Sequence, residues 1–491
     1  MLRCRTRPTL QHPAGATGVP WHRVAHEGRS LLRLAAPIAL IALVNMGMSV
    51  TDAAMVAALF GAEALAAVAV GSDLYSIAFY LGAGVLGGLA PFYTAAAVRD
   101  DPALRRRLQR IGWLTVALLS VLLVPLVWSA PDWLRLLGLD TQLLRQGRDH
   151  TRAMALTLLP MLGVMLYRTV LTAAEKPKVF LHVTLAMLPL NAAANWALML
   201  GVGPVPALGP AGAGVSSLVV ALTSLLILVR IAYAGDTRRG AAAASAIDRP
   251  TLGAVLSVGL PIGIATVAEV GIFLAATIYA ATLGAADVAA HTLTLRTAGV
   301  VYAVPAALLQ ASMVRMARAQ TLDDAAVQRS VTTVSIVLSA SLSVVVCIVL
   351  VGAARPLAQF FFDDSAAGIA AAGLAAGLLM LLGFMECLVG PGAAAAGLLR
   401  GRRDTRAPMC YGLVGHWAVG APLGVLLCET QGLGIGGVWI GLSVGTALTT
   451  ALTLRRLGSL RAGAPASRAG AGTNEPFASD SGTVANAAAL R

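Results

Sequence analysis

The chain has 491 residues, 57% hydrophobic and 12% charged, with a mean hydropathy of +0.78. Soluble domains carry about 25% charged residues, so an ordinary soluble enzyme is excluded, as is disorder over most of the length. Thirty-six Lys and Arg against 23 Asp and Glu leave a net charge of +13, but so little polar surface remains that no nucleic-acid partner is expected.

An apolar helix of about 20 residues spans a bilayer core. Twelve such runs are predicted, near 33–58, 64–95, 111–128, 153–174, 179–200, 211–234, 252–283, 287–314, 328–351, 367–398, 408–427 and 433–454. Several exceed the minimum, which predicts tilt or kinks. Pro37, Pro125, Pro160, Pro189, Pro261 and Pro305 fall in or near these runs. Neighbouring helices in a membrane bundle re-satisfy the backbone groups that proline frees. Abundant alanine and 51 glycines suit close helix approach in lipid.

The basic residues orient the chain. With twelve spans and both termini cytoplasmic, 29 Lys and Arg fall on the inner side and 5 on the outer (Arg135, Arg145, Arg148, Arg152 and Arg355), while Arg168 and Arg296 lie within spans. This is a strong positive-inside pattern. The expected divisions are a cytoplasmic extension over 1–30, a first six-helix lobe over 31–235, a cytoplasmic linker over 236–250, a second lobe over 251–457 and a disordered tail over 458–491. The first 30 residues have no apolar core, so no cleavable signal peptide is expected there. Five scattered cysteines form no ligand or redox pair and read as small apolar residues.

The chain repeats once, at an offset of about 223 residues. Ala36-Pro37-Ile38 falls on Leu260-Pro261-Ile262, Gly61-Ala62 on Gly284-Ala285, Leu65-Ala66-Ala67 on Val288-Ala289-Ala290, and Gly214-Val215 on Gly437-Val438. Six spans separate the copies. Six is even, so both copies have the same orientation. The expected fold is therefore all-α, with two six-helix lobes related by a pseudo-twofold axis along the membrane normal and a cavity between them. Parallel repeats of this kind are used for alternating access.

Ionisable residues within spans are costly, about 2.5–3.5 kcal/mol for an acid at the centre, and so mark cavities or partners. Six qualify: Asp52, Asp73, Arg168, Glu269, Arg296 and Glu386. Asp52, Glu269 and Glu386 read either as buried structural carboxyls or as reversible sites for H⁺ or Na⁺, with a cationic substrate competing for the same charge. A water-shielded carboxylate is suited to proton loading. Asp73 and Arg296 are repeat equivalents and read as a structural pair, and Arg168 as a snorkelling residue. Asn191 and Asn195 share a helix face; with Asp52 their amide oxygens would suit Na⁺, and alone they read as interhelical glue. Ser216 and Ser217 offer a hydroxyl nearby. His291 reads as a hydrogen-bonded core residue. No metal-enzyme spacing and no phosphate-binding GxxxxGK[ST] motif occur, so an ATP-driven pump is unsupported.

Over about residues 30–455 the chain resembles the multidrug and toxic compound extrusion (MATE) transporters, most closely their NorM-like bacterial branch. The resemblance rests on Pro37 followed by Asp52, AEKPK (Ala174–Lys178) followed by PLN and a second Asn, GLP with Glu269, AAH (Ala289–His291) and LLRGRRDT (Leu398–Thr405). It implies a bacterial inner-membrane antiporter, monomeric and without a bound cofactor, that expels organic cations in exchange for Na⁺ or H⁺. It implies coupling-ion roles for Asp52, Asn191, Asn195 and Ser217 in the first lobe, and for Glu269 and Glu386 in the second. Glu386 stands where that branch usually has Asp, which lengthens the arm, and Leu382 stands where an aromatic is common, which removes a cation–π contact. Asp404 matches a family motif in the basic loop and reads as structural.

The nearest rival is a flippase for lipid-linked saccharides. Its anionic cargo calls for a cationic cavity, whereas acids outnumber bases in these spans. A membrane enzyme lacks a nucleophile–base or metal constellation, and a scaffold leaves the carboxylates unexplained.

Overall fold

The computed structural model describes residues 21–138, 140–204, 206–234, 249–363 and 365–462, and all regular structure among them is helical. Most of the expected linker and tail lies outside the described residues. Helix α1 (Trp21–Gly87) starts inside the stretch expected as an extension, because Leu31 and Leu34 need a helical register to reach the core.

α1 holds two membrane-length helices joined at Gly61, where φ is +84° and ψ 178°. Only glycine adopts this backbone without strain. Val56 and Val68, on either side, share one apolar cluster, so the chain folds back there. The second segment continues through α2 (Ala90–Val98). Then come α3 (Pro102–Trp128), the short α4 (Ala130–Leu136) and α5 (Thr141–Gln146), α6 (Arg148–Ala173), α7 (Pro177–Leu200) and α8 (Ala211–Ala234). This makes six crossings.

The second lobe repeats the plan. α9 (Arg249–Leu283) ends at Gly284, whose φ of +146° and ψ of 169° mirror the break at its repeat equivalent Gly61. α10 (Ala285–Val301) runs on as α11 (Ala303–Thr321), followed by α12 (Ala325–Phe361) and α13 (Ala366–Gly401). α14 (Arg406–Gly412), a π-helical stretch (Leu413–Gly420) and α15 (Ala421–Gln431) form the next crossing, and α16 (Gly434–Ala462) the last. Asp101 and Asp324, also repeat equivalents, cap α3 and α12, each carboxylate accepting two backbone N–H bonds. Pro37, Pro125, Pro160, Pro189 and Pro261 lie inside helices, as expected.

Packing follows the repeat. α6 is the hub of the first lobe, against α1, α3 and α8; α13 is the hub of the second, against α10, α11, α12 and α16. The lobes meet at one end, where α1 starts, α16 ends and Arg105, Lys178, Arg318 and Arg406 cluster at helix ends. This end is termed the basic face. Leu31, Leu34, Ala35 and Ile38 of α1 pack there on Ala307, Leu308, Ala311 and Val314 of α11. Gly84 of α1 and Gly88 just after it meet Gly263 and Gly259 of α9 backbone to backbone: a Cβ on Gly84 would lie 2.5 Å from Cα of Gly263. Toward the opposite face α10 packs chiefly within its own lobe, on α9, α11, α13 and α16. The lobes thus close at the basic face and part toward the other.

Candidate ion and substrate site

In the first lobe, Asp52 on α1 faces α7. The Nδ2 groups of Asn191 and Asn195 donate to the same carboxylate oxygen, Oδ1, at 2.6 and 2.5 Å. The i, i+4 spacing brings both amides onto one helix face. Both asparagines are buried, and Oδ1 of Asn195 has no hydrogen-bond partner. The second Asp52 oxygen accepts no hydrogen bond among the described residues, and no basic side chain pairs with the carboxylate. The site therefore holds an uncompensated negative charge, one open carboxylate oxygen and one orphaned amide oxygen. Turning the amides over would present their oxygens beside the carboxylate, an all-oxygen set of the kind hard cations prefer; protonation of the open oxygen is the alternative.

The neighbouring hydroxyl is that of Ser216, fully buried, whose Oγ donates to the Asn191 carbonyl at 3.3 Å. Ser217, the one of the two that the family resemblance implies, is half-buried and makes no hydrogen bond among the described residues. An open groove of about 420 Å³ between α1 and α7 is lined by Val50, Thr51, Ala54, Met55, Ala58, Leu59 and Trp196, on the exposed side of α1 and without Asp52 in its wall.

In the second lobe, Glu386 on α13 is 3% exposed and has no protein hydrogen-bond partner among the described residues. Glu269 on α9 is half-buried. Both lie within electrostatic reach of Tyr302, at the α10–α11 junction. The charge of Arg400, near the basic-face end of α13, acts on both Tyr302 and Glu269. Trp417 of the π-helical stretch donates to the carbonyl of Ala268 at 3.0 Å, which fixes the backbone next to Glu269. The charge of Arg400 thus acts on Glu269, whereas neither Glu386 nor Asp52 has a basic partner among the described residues. Sequence reading missed Tyr302, Trp417 and Arg400; for Tyr302 a signal existed, since it is the only Phe, Tyr or Trp in its apolar run. Leu382 is fully buried in the core of this lobe.

Asp73 and Arg296, on the matching second helices, are both exposed mid-span, and their charges interact without closing to an ion pair. The structural pairing expected from the repeat is limited here to this longer-range attraction. Arg168 leaves Nε buried and unpartnered beside Tyr80, so it does not simply reach out to the interface. Asp404 ties the start of α14 to α16 through Arg456 at 2.9 Å.

His291 is fully buried. Its Nδ1 accepts from Trp439 Nε1 at 3.1 Å, and its Nε2 lies 3.0 Å from Thr277 Oγ1, which itself donates to the Phe273 carbonyl. These partners hold a neutral ring protonated at Nε2 and leave no open position for relaying protons. His291→Ala strands a buried indole N–H and opens a cavity. It is expected to cost about 2–4 kcal/mol, read as a lowered melting temperature in detergent with transport per folded molecule retained.

A duplicated bundle of twelve membrane-length helices among the described residues, closed at one face and carrying carboxylates within its spans, has the layout of a multi-pass membrane transporter. The MatE family model matches residues 37–197 and 261–426, so Pro37 and Pro261 open its two copies in register with the repeat. The chain belongs to the MatE family. It is 30% identical to a probable multidrug resistance protein NorM of Bradyrhizobium diazoefficiens over 452 residues, 91% of this chain and 97% of that protein. It is 30% identical to the multidrug resistance protein NorM of Burkholderia vietnamiensis over 86% of this chain and 91% of that protein. In fold it matches a eukaryotic MATE transporter, AtDTX14, with a TM-score of 0.79 at 18% identity over 89% of this chain and 96% of that one. It also matches a MOP superfamily transporter of Pyrococcus furiosus, described as having a binding pocket of reverse polarity, with a TM-score of 0.78 at 16% identity over 89% and 96%.

Proposed function

We propose that the protein exports lipophilic organic cations in exchange for H⁺ or Na⁺, and that Asp52 is where cargo and coupling ion compete. The observation that carries this reading is the Asp52 carboxylate within a span, held by two amides through one oxygen, with no basic partner among the described residues. The names of the NorM relatives support the multidrug assignment.

A coupling ion shifts a conformational equilibrium only by its different affinities for the two states. At Asp52, binding of H⁺ or Na⁺ neutralises the charge that holds a cationic cargo and so favours its release from the open face. The positive-inside pattern makes the basic face cytoplasmic, so the outward-parted lobes are those of the releasing state, in the inner membrane of a bacterium. Glu269, already opposed by Arg400, and the buried Glu386 act in this scheme as the weaker second cation site. With Asp52 unopposed in the first lobe, the cavity suits a cation better than the anionic head of a lipid-linked saccharide.

The test is accumulation of a fluorescent lipophilic cation in cells stripped of their own drug pumps. Expression is expected to lower accumulation and raise resistance, and Glu269→Gln to weaken both in part. Unchanged accumulation of lipophilic cations, with export of an anionic amphiphile instead, would overturn the assignment.

A further inference from the structure

Four segments converge at the basic face around charges that the site above does not use. Arg315 of α11 is 8% exposed. Its NH2 donates to both Oε1 and Oε2 of Glu27 at 2.7 Å, and its Nε to Oε2 at 3.2 Å. Its NH1 donates to Glu175 Oε1 at 2.9 Å. Glu27 lies in the second turn of α1 and Glu175 follows α6, both in the first lobe, whereas Arg315 belongs to the second.

The backbone at Glu175 supports a purpose for this contact. Its φ is +57°. Glu175 N–H bonds to Thr172 O at 3.0 Å and Lys176 N–H to Leu171 O at 2.8 Å, the helix ending in which glycine is the favoured residue. A side chain is kept there against the left-handed backbone preference. The repeat holds a counterpart. Arg403, after α13, has φ +64° and the same pair of bonds, to Arg400 O and from Asp404 N–H to Leu399 O. Its guanidinium lies 4.5 Å from the ring centroid of Phe92, on α2 of the first lobe. Phe92 and Arg315 occupy matching positions of the repeat. In each lobe, then, a charged residue at a left-handed helix end crosses to the same position on the other lobe's second helix.

We infer that Arg315 with Glu27 and Glu175, seconded by Arg403 on Phe92, is the latch that holds the basic face shut and opens once per transport cycle. A buried ion pair exchanged for two hydrated charges changes the free energy little, because desolvation offsets most of the attraction. The glycine-to-glycine contacts of α1 and α9 part without unthreading side chains. Such a closure is specific in geometry yet close to balance, as a reversible gate requires. The latch rests on the alternating-access reading, but its test needs no transported substrate.

That test is hydrogen–deuterium exchange of the full chain in lipid nanodiscs, comparing wild type with Arg315→Met, Arg315→Lys and Glu175→Gln. In Arg315→Met, amides of the basic-face segments 81–88 and 303–316 are expected to exchange roughly tenfold faster, the factor that losing a charged hydrogen-bond pair supplies. Those of the opposite-face segments 53–60 and 285–295 are expected to exchange more slowly, because opening one face closes the other. Arg315→Lys should shift both less, and Glu27→Arg with Arg315→Glu should restore the wild-type pattern. If Arg315→Met does not fold, Glu175→Gln, whose side chain is one-third exposed, carries the same comparison. Faster exchange at both faces would mean plain destabilisation and overturn the latch, as would no change at either. Reciprocal exchange with no drug efflux would sink the proposed cargo and leave the latch standing.

Discussion

Asp52→Asn is expected to abolish export of lipophilic cations, with resistance falling to that of cells lacking the protein, while the chain still folds and inserts. Asparagine has nearly the same shape, and its oxygen can still accept from Asn191 or Asn195, so the contact between α1 and α7 survives. What disappears is the charge. At Asp52 the lost quantity is the whole difference between binding a cation and not, because no other acid among the described residues shares the site. Losing one charged interaction of about 1.5–3 kcal/mol lowers cargo affinity roughly 10- to 150-fold. Coupling is lost as well, since an amide binds no proton near neutral pH. The measurement is drug efflux normalised to membrane-inserted protein. Asn191→Ala and Asn195→Ala should have smaller effects, because they release the carboxylate without removing it.

Gly259→Val is expected to be the most disruptive single change outside that site. A Cβ on Gly259 would overlap the carbonyl of Val85, and one on Gly88 would overlap the backbone of Gly259. Neither backbone has room to retreat, because Val85 and Val258 on either side are buried in the core. Overpacking of this kind costs about 1–3 kcal/mol in soluble cores. Here the cost falls on one state only, the one in which the lobes touch at the basic face. The variant is therefore expected to populate the basic-face-open state and to bind cargo from that side without releasing it. Alkylation of a cysteine introduced at the contact, in a chain freed of its native cysteines, checks this. Gly253→Val, at the fifth residue of the same helix and with no atom within 4 Å of its Cβ, serves as the control and should behave as wild type.

These results bear on how much of the molecule is legible in its amino-acid order. Twelve apolar runs and a twofold repeat are composition-scale features, and the structure follows them down to matching glycine breaks at Gly61 and Gly284. Asp52 with Asn191 and Asn195 is legible because an acid in lipid is conspicuous and two amides four apart must share a helix face. His291 as a core residue follows from its apolar surroundings. Arg315 and Arg400 were hidden for one reason: depth along a span is visible in a sequence, but direction is not. Both count as orientation charges at a helix end, yet Arg315 turns between the lobes and Arg400 reaches back toward Glu269. The choice between Ser216 and Ser217 turns on about 100° of helix rotation, which no linear pattern sets. The facing glycines of α1 and α9 are equally invisible, since nothing in either helix names the other as its partner.

The account stands most directly on one measurement: flux of a labelled lipophilic cation in proteoliposomes with an imposed Na⁺ gradient or an imposed pH gradient, for wild type and Asp52→Asn. It predicts that one of the two gradients drives the cation uphill in wild type and that neither does in Asp52→Asn. Uphill transport that persists in Asp52→Asn, or wild-type flux that only runs downhill whatever gradient is imposed, would contradict it.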